Sequence, residues 1–281
     1  MSGLPRIAVG GGTGFIGRHL CAALAATGAD PRPFGSDGLP TADTTADTTA
    51  DTPPYALVWA GGRRSHEAAP LREQHVDAPL QALARLHPRR VVYLSSAEVY
   101  GRIPVPFRED EPCAPQTPYA EAKRAGELAL AEACAASSIP LFILRPTVIY
   151  GSGQTPTMLL PGALAALRAG QPFPATTGEQ TRDFLHVSDL VALILRCLAD
   201  DAPADTYNAG SGREVRVSEA LALLAAALGP GAMQLLRLGA LAARPGEAQR
   251  YVVDVSRAAQ RLGWRPATSL EAGLTALARS G

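Results

Sequence analysis

Near the start of the chain a short apolar segment, a glycine run and an amphipathic segment follow one another, and this order leaves few folds open. Arg6-Ile-Ala-Val-Gly10 reads as a buried strand, and Gly11-x-x-Gly14-x-x-Gly17 follows it directly and opens a helix over about residues 14–27. Glycines at this spacing let the backbone turn tightly, approach a pyrophosphate closely and pack the helix on the strand. The unpaired N–H groups of the helix start then face the anion. Gly11, Thr13, Gly14, Phe15, Ile16 and Gly17 are therefore the candidate dinucleotide cradle.

The rest of the chain extends the same architecture. Strand patterns at 29–35, 55–60, 90–95 and 141–145 alternate with helical ones near 71–86 and 118–137. That alternation predicts an α/β Rossmann fold, a doubly wound parallel sheet. Pro31 and Pro33 weaken the second strand. Beyond Gly151 the pattern loosens, with helices near 157–169, 188–199 and 217–228. We read residues 1–150 as the dinucleotide-binding domain, with 184–208 returning to it. Residues 151–183 and 209–281 are read as a smaller C-terminal substrate-binding lobe sharing its core. The Asp-Thr repeat at Thr41–Thr52 reads as a surface segment.

Composition narrows the partners. Of 281 residues 47% are hydrophobic, which excludes a disordered chain, and zero net charge argues against nucleic acid or an anionic membrane. No apolar run is long enough to cross a bilayer, and Met1–Arg6 leads straight into a strand pattern where a secretory leader would have an apolar stretch. Cys21, Cys113, Cys134 and Cys197 lack metal-site or redox spacing. We therefore expect free thiols, no metal and a cytoplasmic location.

The second half of a dinucleotide fingerprint is an acid at the end of strand two that holds the ribose hydroxyls. The position where it would stand, eighteen residues past Gly17, is Gly35, followed by Ser36 and Asp37. Without a carboxylate there a 2′-phosphate is not repelled, so the coenzyme is NAD or NADP, with NADP slightly favoured. Asp37 could reverse this by turning inward, or serve only as a turn residue.

Of the 26 lysines and arginines, one is lysine, Lys123. A chain that otherwise uses arginine keeps lysine where a compact ammonium is needed. Tyr119 lies four residues before it, so the two share one helical face. A phenol is a poor acid–base group at neutral pH, and a neighbouring ammonium favours its ionised form. Ser95-Ser96 closes the fourth strand at the sheet's carboxyl edge, where a hydroxyl can reach a substrate carbonyl.

Several segments together are similar to the extended short-chain dehydrogenases/reductases, and more narrowly to their nucleotide-sugar epimerase/dehydratase branch. These are Gly11–Gly17, Leu94-Ser-Ser-Ala-Glu-Val-Tyr-Gly101, Pro118-Tyr-Ala-Glu-Ala-Lys123, Arg145-Pro-Thr-Val-Ile-Tyr-Gly151, Arg182-Asp-Phe-Leu-His-Val-Ser-Asp-Leu190 and Gly263-Trp-Arg-Pro266. The resemblance implies a nucleotide-sugar substrate and a homodimer built on a four-helix bundle. It implies Tyr119 as general acid–base, Lys123 as its partner on the nicotinamide ribose, and Ser96 as the catalytic hydroxyl. Ala60, Gly61, Pro146 and Val148 join the expected coenzyme contacts. Ser96, Ala97, Arg182, Arg244 and Glu247 join the expected substrate contacts, the arginines as a clamp on the diphosphate. Structural readings stand beside these: Arg182 could pair with Asp183, and Arg244 could cap a helix.

Departures from the branch pattern direct the choice of reaction. Ala97 stands where the 4,6-dehydratases resemble Asp, so the acid for expelling a hydroxyl is absent. Glu98 is retained where UDP-galactose 4-epimerases carry an uncharged residue, as a candidate acid–base or a structural carboxylate. Val148 and His75 replace asparagines common in the branch, and His75 reads as a helix residue in preference to a second proton carrier. With a compact lobe, these features favour an NAD(P)-dependent reductase of a keto-deoxysugar. The alternatives are a 4-epimerase with tightly bound NAD and, further off, a non-catalytic dinucleotide sensor.

Overall fold

The computed structural model describes residues 5–35, 56–62, 68–243 and 248–280. Ser36, Asp37, Arg244, Glu247 and the repeat at Thr41–Thr52 lie outside the described residues.

The central sheet is built around β1 (Arg6–Gly10), flanked by β2 (Asp30–Phe34) and β3 (Ala56–Trp59). β4 (Val91–Leu94), β5 (Leu141–Pro146) and β10 (Thr206–Ala209) complete the order β10-β5-β4-β3-β1-β2, and every pairing is parallel. Parallel strands need crossovers, and these run through α1 (Phe15–Ala26), the helical stretch α2 (Ala68–Arg72) and α3 (Ala78–Leu86), and α4 (Pro118–Ala136). A π-helical turn, Glu73–Asp77, joins α2 to α3. β2 tolerates Pro31 and Pro33 because it is an edge strand, where half of the N–H groups need no partner.

Both faces of the sheet are covered, so alternate residues of each strand enter different cores. Ile7, Val9, Ala56, Val58, Val92, Leu94, Phe142 and Leu144 pack with Leu20 and Leu24 of α1 and with α6 (Val187–Cys197). Ala8, Leu57, Trp59, Val91 and Tyr93 face the other way, onto Leu83 and Leu86 of α3 and Leu130 of α4.

A separate apolar cluster joins Tyr150, Leu160, Leu164, Phe184, Leu221, Leu224 and Leu274. Its helices are α5 (Leu159–Arg168), α7 (Val217–Leu228) and α10 (Leu270–Arg279). Three small sheets hang from it: β6 (Val148–Tyr150) with β9 (Phe184–His186), β7 (Phe173–Pro174) with β12 (Leu236–Arg237), and β8 (Thr181–Arg182) with β11 (Val215–Arg216). Sequence pattern assigns all of 209–281 to this lobe. The packing sets α9 (Ser256–Leu262; after the short α8, Pro230–Met233) and Trp264 against the sheet face that holds Ile7 and Val9.

Candidate functional site

The strand order reverses between β1 and β3, and the crevice beyond the carboxyl ends of such strands is where ligands of open α/β sheets bind. The glycine run lies there. Gly11 and Gly12 both donate to the Phe34 carbonyl, at 2.8 and 3.1 Å, which pulls the turn tight. Gly11 has φ +72°, and a Cβ on it would lie 2.4 Å from the Gly61 Cα. A Cβ on Gly17 would lie 2.2 Å from the Gly11 carbonyl oxygen. Gly14 is the N-cap of α1; no side chain caps the helix and no acid occupies its first turn. Its leading N–H groups therefore face an uncluttered cradle, which suits the pyrophosphate of a dinucleotide. Thr13 is exposed on the rim, Phe15, Ile16 and Ala60 are half-buried, and Gly61 is buried under Gly11. Arg18 bridges the carbonyls of Thr13 (2.9 Å) and Gly153 (3.0 Å), tying the cradle to the loop after β6.

Two strands away, Thr117 caps α4 by accepting from the Ala120 N–H at 3.2 Å, with Pro118 in the first helical turn. This cap places Tyr119 at the helix start and Lys123 one turn on. Lys123 is buried; its Nζ donates to the Leu94 carbonyl at 2.6 Å and lies 5.1 Å from the centroid of the Tyr93 ring and 6.0 Å from that of Tyr119. Burial pushes the Lys123 ammonium down to about 7, against the opposing charge of Glu127. Ser96 caps the 3₁₀ turn Ala97–Tyr100, its Oγ accepting from the Glu98 N–H at 3.2 Å, so the hydroxyl proton can be donated elsewhere. Ser96 and Ala97 are buried and Glu98 half-buried. Pro146 closes β5 as a buried residue, and Val148 opens β6 half-buried.

His75, read from sequence as a helix residue, lies on the π-helical turn, fully buried, its ring edge-on to that of Tyr119 at 5.4 Å. A Cβ on Gly62 would meet this ring at 2.0 Å. Arg182 donates to the carbonyls of Thr181 (2.7 Å) and Ala248 (2.9 Å). The Asp183 carboxylate is engaged by Ser211, Gly212 and Val253. Nearby, a cavity of about 370 Å³ opens between Gly101–Val105 and Ala248–Arg250.

Sequence reasoning assigns no role to Glu127, which the structure places in the same buried cluster. Its carboxylate meets the Arg145 guanidinium as a two-bond fork at 2.9 and 2.8 Å, and Arg124 at 2.7 Å. The available signal is its spacing, four residues beyond Lys123 on the buried face of α4.

A doubly wound parallel sheet, a glycine cradle at its switch point and a Tyr–Lys pair beside the end of β4 are the layout of the extended short-chain dehydrogenases/reductases. The chain belongs to the NAD dependent epimerase/dehydratase family, whose sequence profile matches residues 7–210. It is 31% identical over 194 residues to the dTDP-glucose 4,6-dehydratase of Xanthomonas campestris, a match covering 66% of this chain and 55% of that one. A match of 31% identity over 189 residues relates it to the low-salt glycan biosynthesis protein Agl12 of Haloferax volcanii, covering 66% and 60% of the two chains. The chain thus spans little more than half the length of these relatives.

Among solved structures, DesIV, the dTDP-glucose 4,6-dehydratase of Streptomyces venezuelae with NAD and TYD bound, superposes with TM-score 0.83 at 26% identity, covering 98% and 96% of the two chains. RMD of Pseudomonas aeruginosa complexed with NADPH gives 0.83 at 25%, covering 98% and 97%. The UDP-glucose 4-epimerase of Thermotoga maritima gives 0.87 at 22%, covering 97% of each, and shows the shared fold. Among the described residues, no helix is long and apolar enough to cross a membrane, and no group of three or more His, Cys, Asp or Glu is placed to hold a metal ion.

Proposed function

We propose that this chain is an NAD(P)-dependent oxidoreductase of a nucleotide-linked sugar, and that it reduces a keto-deoxysugar. The observation that carries the reading is the Tyr119–Lys123 pair, with the amine buried and anchored on Leu94 at the carboxyl end of β4.

Gly11, Thr13, Gly14, Phe15, Ile16 and Gly17 would hold a nicotinamide dinucleotide, which would supply the hydride. Ser96 donates its hydroxyl proton in a hydrogen bond to the sugar carbonyl and polarises it. The Tyr119 Oη delivers its proton to the carbonyl oxygen as the carbon is reduced, and the Lys123 charge stabilises the phenolate that remains. Solvent returns the proton to Tyr119. Arg182 and Arg244 hold the substrate diphosphate, a task suited to guanidinium forks. Ala97, fully buried in place of an acid, supports reduction over dehydration although named relatives are dehydratases. Gly35 supports NADP, since no carboxylate there repels a 2′-phosphate.

The test is coenzyme oxidation measured with NADPH and NADH against a panel of nucleotide-linked 4-keto-sugars. Tyr119→Phe is expected to lower kcat by roughly 10²–10⁴-fold with coenzyme binding retained. Unchanged turnover in that variant overturns the assignment. Wild-type protein that carries bound NAD and interconverts sugars without consuming NADPH is instead an epimerase.

A further inference from the structure

The proton transfer above makes no use of Glu127, although its side chain is only 1% exposed and sits within the same cluster. Four residues beyond Lys123, it shares the buried face of α4 one turn further along. The Arg145 fork fixes both of its oxygens from β5, and Arg124 seals the outer side. Burial alone pushes the Glu127 carboxyl up. The bonds and charge of Arg145, with help from Arg124, outweigh burial and hold it below the usual carboxylate range. Glu127 is therefore an anion fixed in position at neutral pH.

Lys123 needs one. It donates to a neutral carbonyl, that of Leu94, and lies near the Tyr93 and Tyr119 rings. The carbonyl and the ring faces favour the ammonium, but none of them carries a countercharge, and burial favours the uncharged amine more strongly. An uncharged amine gives Tyr119 no electrostatic help. Resting on the assignment of Tyr119 and Lys123 as the proton-transfer pair, we propose that Glu127 is the buried countercharge of Lys123. It is a positioning residue, clamped by Arg145 and Arg124, that keeps the amine protonated beside Tyr119.

The groups facing this pair come from every neighbouring element. Tyr119 and Arg124 belong to α4, Tyr93 to β4, Ser95 to its end, Arg145 to β5 and His75 to the π-helical turn. Tyr100 stacks on Arg145, and Cys113 lies within reach of the charges of Arg145, Arg124 and Glu127. Burial pushes Tyr93, Tyr100 and Cys113 all upward, so they stay neutral near pH 7. The charge acting on Lys123 against its burial is that of Glu127.

The single lysine makes a direct test possible. The 281-residue chain labelled with ¹³C at lysine Cε gives one lysine Cε signal, and its pH titration reports Lys123 without substrate or turnover. Glu127→Gln is expected to lower the midpoint by about one pH unit or more. Arg124→Ala removes a half-buried cation that competes for the carboxylate, and is expected to raise it. A purely structural ion pair would change stability and leave both midpoints in place, and that result overturns the proposal. If Glu127→Gln does not fold, Glu127→Asp decides, since it keeps the charge and draws it back by one methylene: a lowered midpoint supports the proposal and an unmoved one ends it. Full turnover in Tyr119→Phe, with the Lys123 titration still following Glu127, would remove the catalytic reading and leave the countercharge standing.

Discussion

Gly17 and Lys123 are positions where one residue type meets the local geometry and its near relatives do not. A methyl group at Gly17 would sit 2.2 Å from the Gly11 oxygen and 2.6 Å from the Gly12 Cα, both backbone atoms of the turn. They cannot yield without opening the cradle. Gly17→Ala is therefore expected to weaken dinucleotide binding by about tenfold or more, on the scale of overpacking a tight contact. Calorimetric titration with NAD and NADP measures this, and wild-type affinity would place the coenzyme elsewhere. Lys123 was legible for a different reason: in a chain that otherwise uses arginine, a retained lysine marks a site too narrow for a planar fork. The structure gives that site a carbonyl acceptor at 2.6 Å and buried walls. Glu127 was not legible as a charge partner, because its clamp, Arg145, comes from a different element and meets it only across the α4–β5 packing.

Elements with a regular apolar period were readable, and those without one were not. The pattern predicts helices over 217–228 and 118–137, and the structure has Val217–Leu228 and Pro118–Ala136. The helix read over 71–86 contains the π-helical turn Glu73–Asp77, whose wider winding leaves no mark in an apolar period. That turn brings the His75 ring edge-on to Tyr119, so this contact was hidden with it. The paired strands β6–β9, β7–β12 and β8–β11 have two or three residues each, too few to carry a period of two. Their positions rest on side chains such as Asp183, between β8 and β9. Its carboxylate accepts from the Ser211 N–H and hydroxyl (both 2.6 Å), the Gly212 N–H (3.0 Å) and the Val253 N–H (3.4 Å). Asp183 thus joins three segments and leaves Arg182 to other partners. Asp183→Asn turns an amide donor toward these donors and is expected to cost about 2–4 kcal/mol of stability. Urea unfolding checks it, and an unchanged midpoint would mean the network can rearrange around an amide.

At the scale of the whole molecule, one buried amine ties folding to pH. In the unfolded chain a lysine keeps its proton to about pH 10.4. Burial lowers Lys123 to about 7 in the folded protein. Between those values the unfolded state binds more protons than the folded one, so stability rises with pH through the window. Buried thiols and phenols act in the opposite sense, because burial raises Cys134, Cys197, Tyr93 and Tyr100. Their effect begins where unperturbed thiols ionise, at about pH 8.5. The window belonging to Lys123 therefore runs from about pH 7 to 8.5. Lys123→Met removes the titrating group and leaves an apolar chain of similar length. The unfolding free energy of wild type minus that of the variant is expected to climb across this window, with a slope approaching about 1.4 kcal/mol per pH unit. Paired urea titrations at both ends of the window measure the slope directly. A flat difference would mean that the folded amine keeps an ordinary affinity for its proton, either solvated or fully matched by Glu127. A climb that starts at lower pH in Glu127→Gln would tie the stability of the whole fold to the same countercharge that serves the Tyr119 pair.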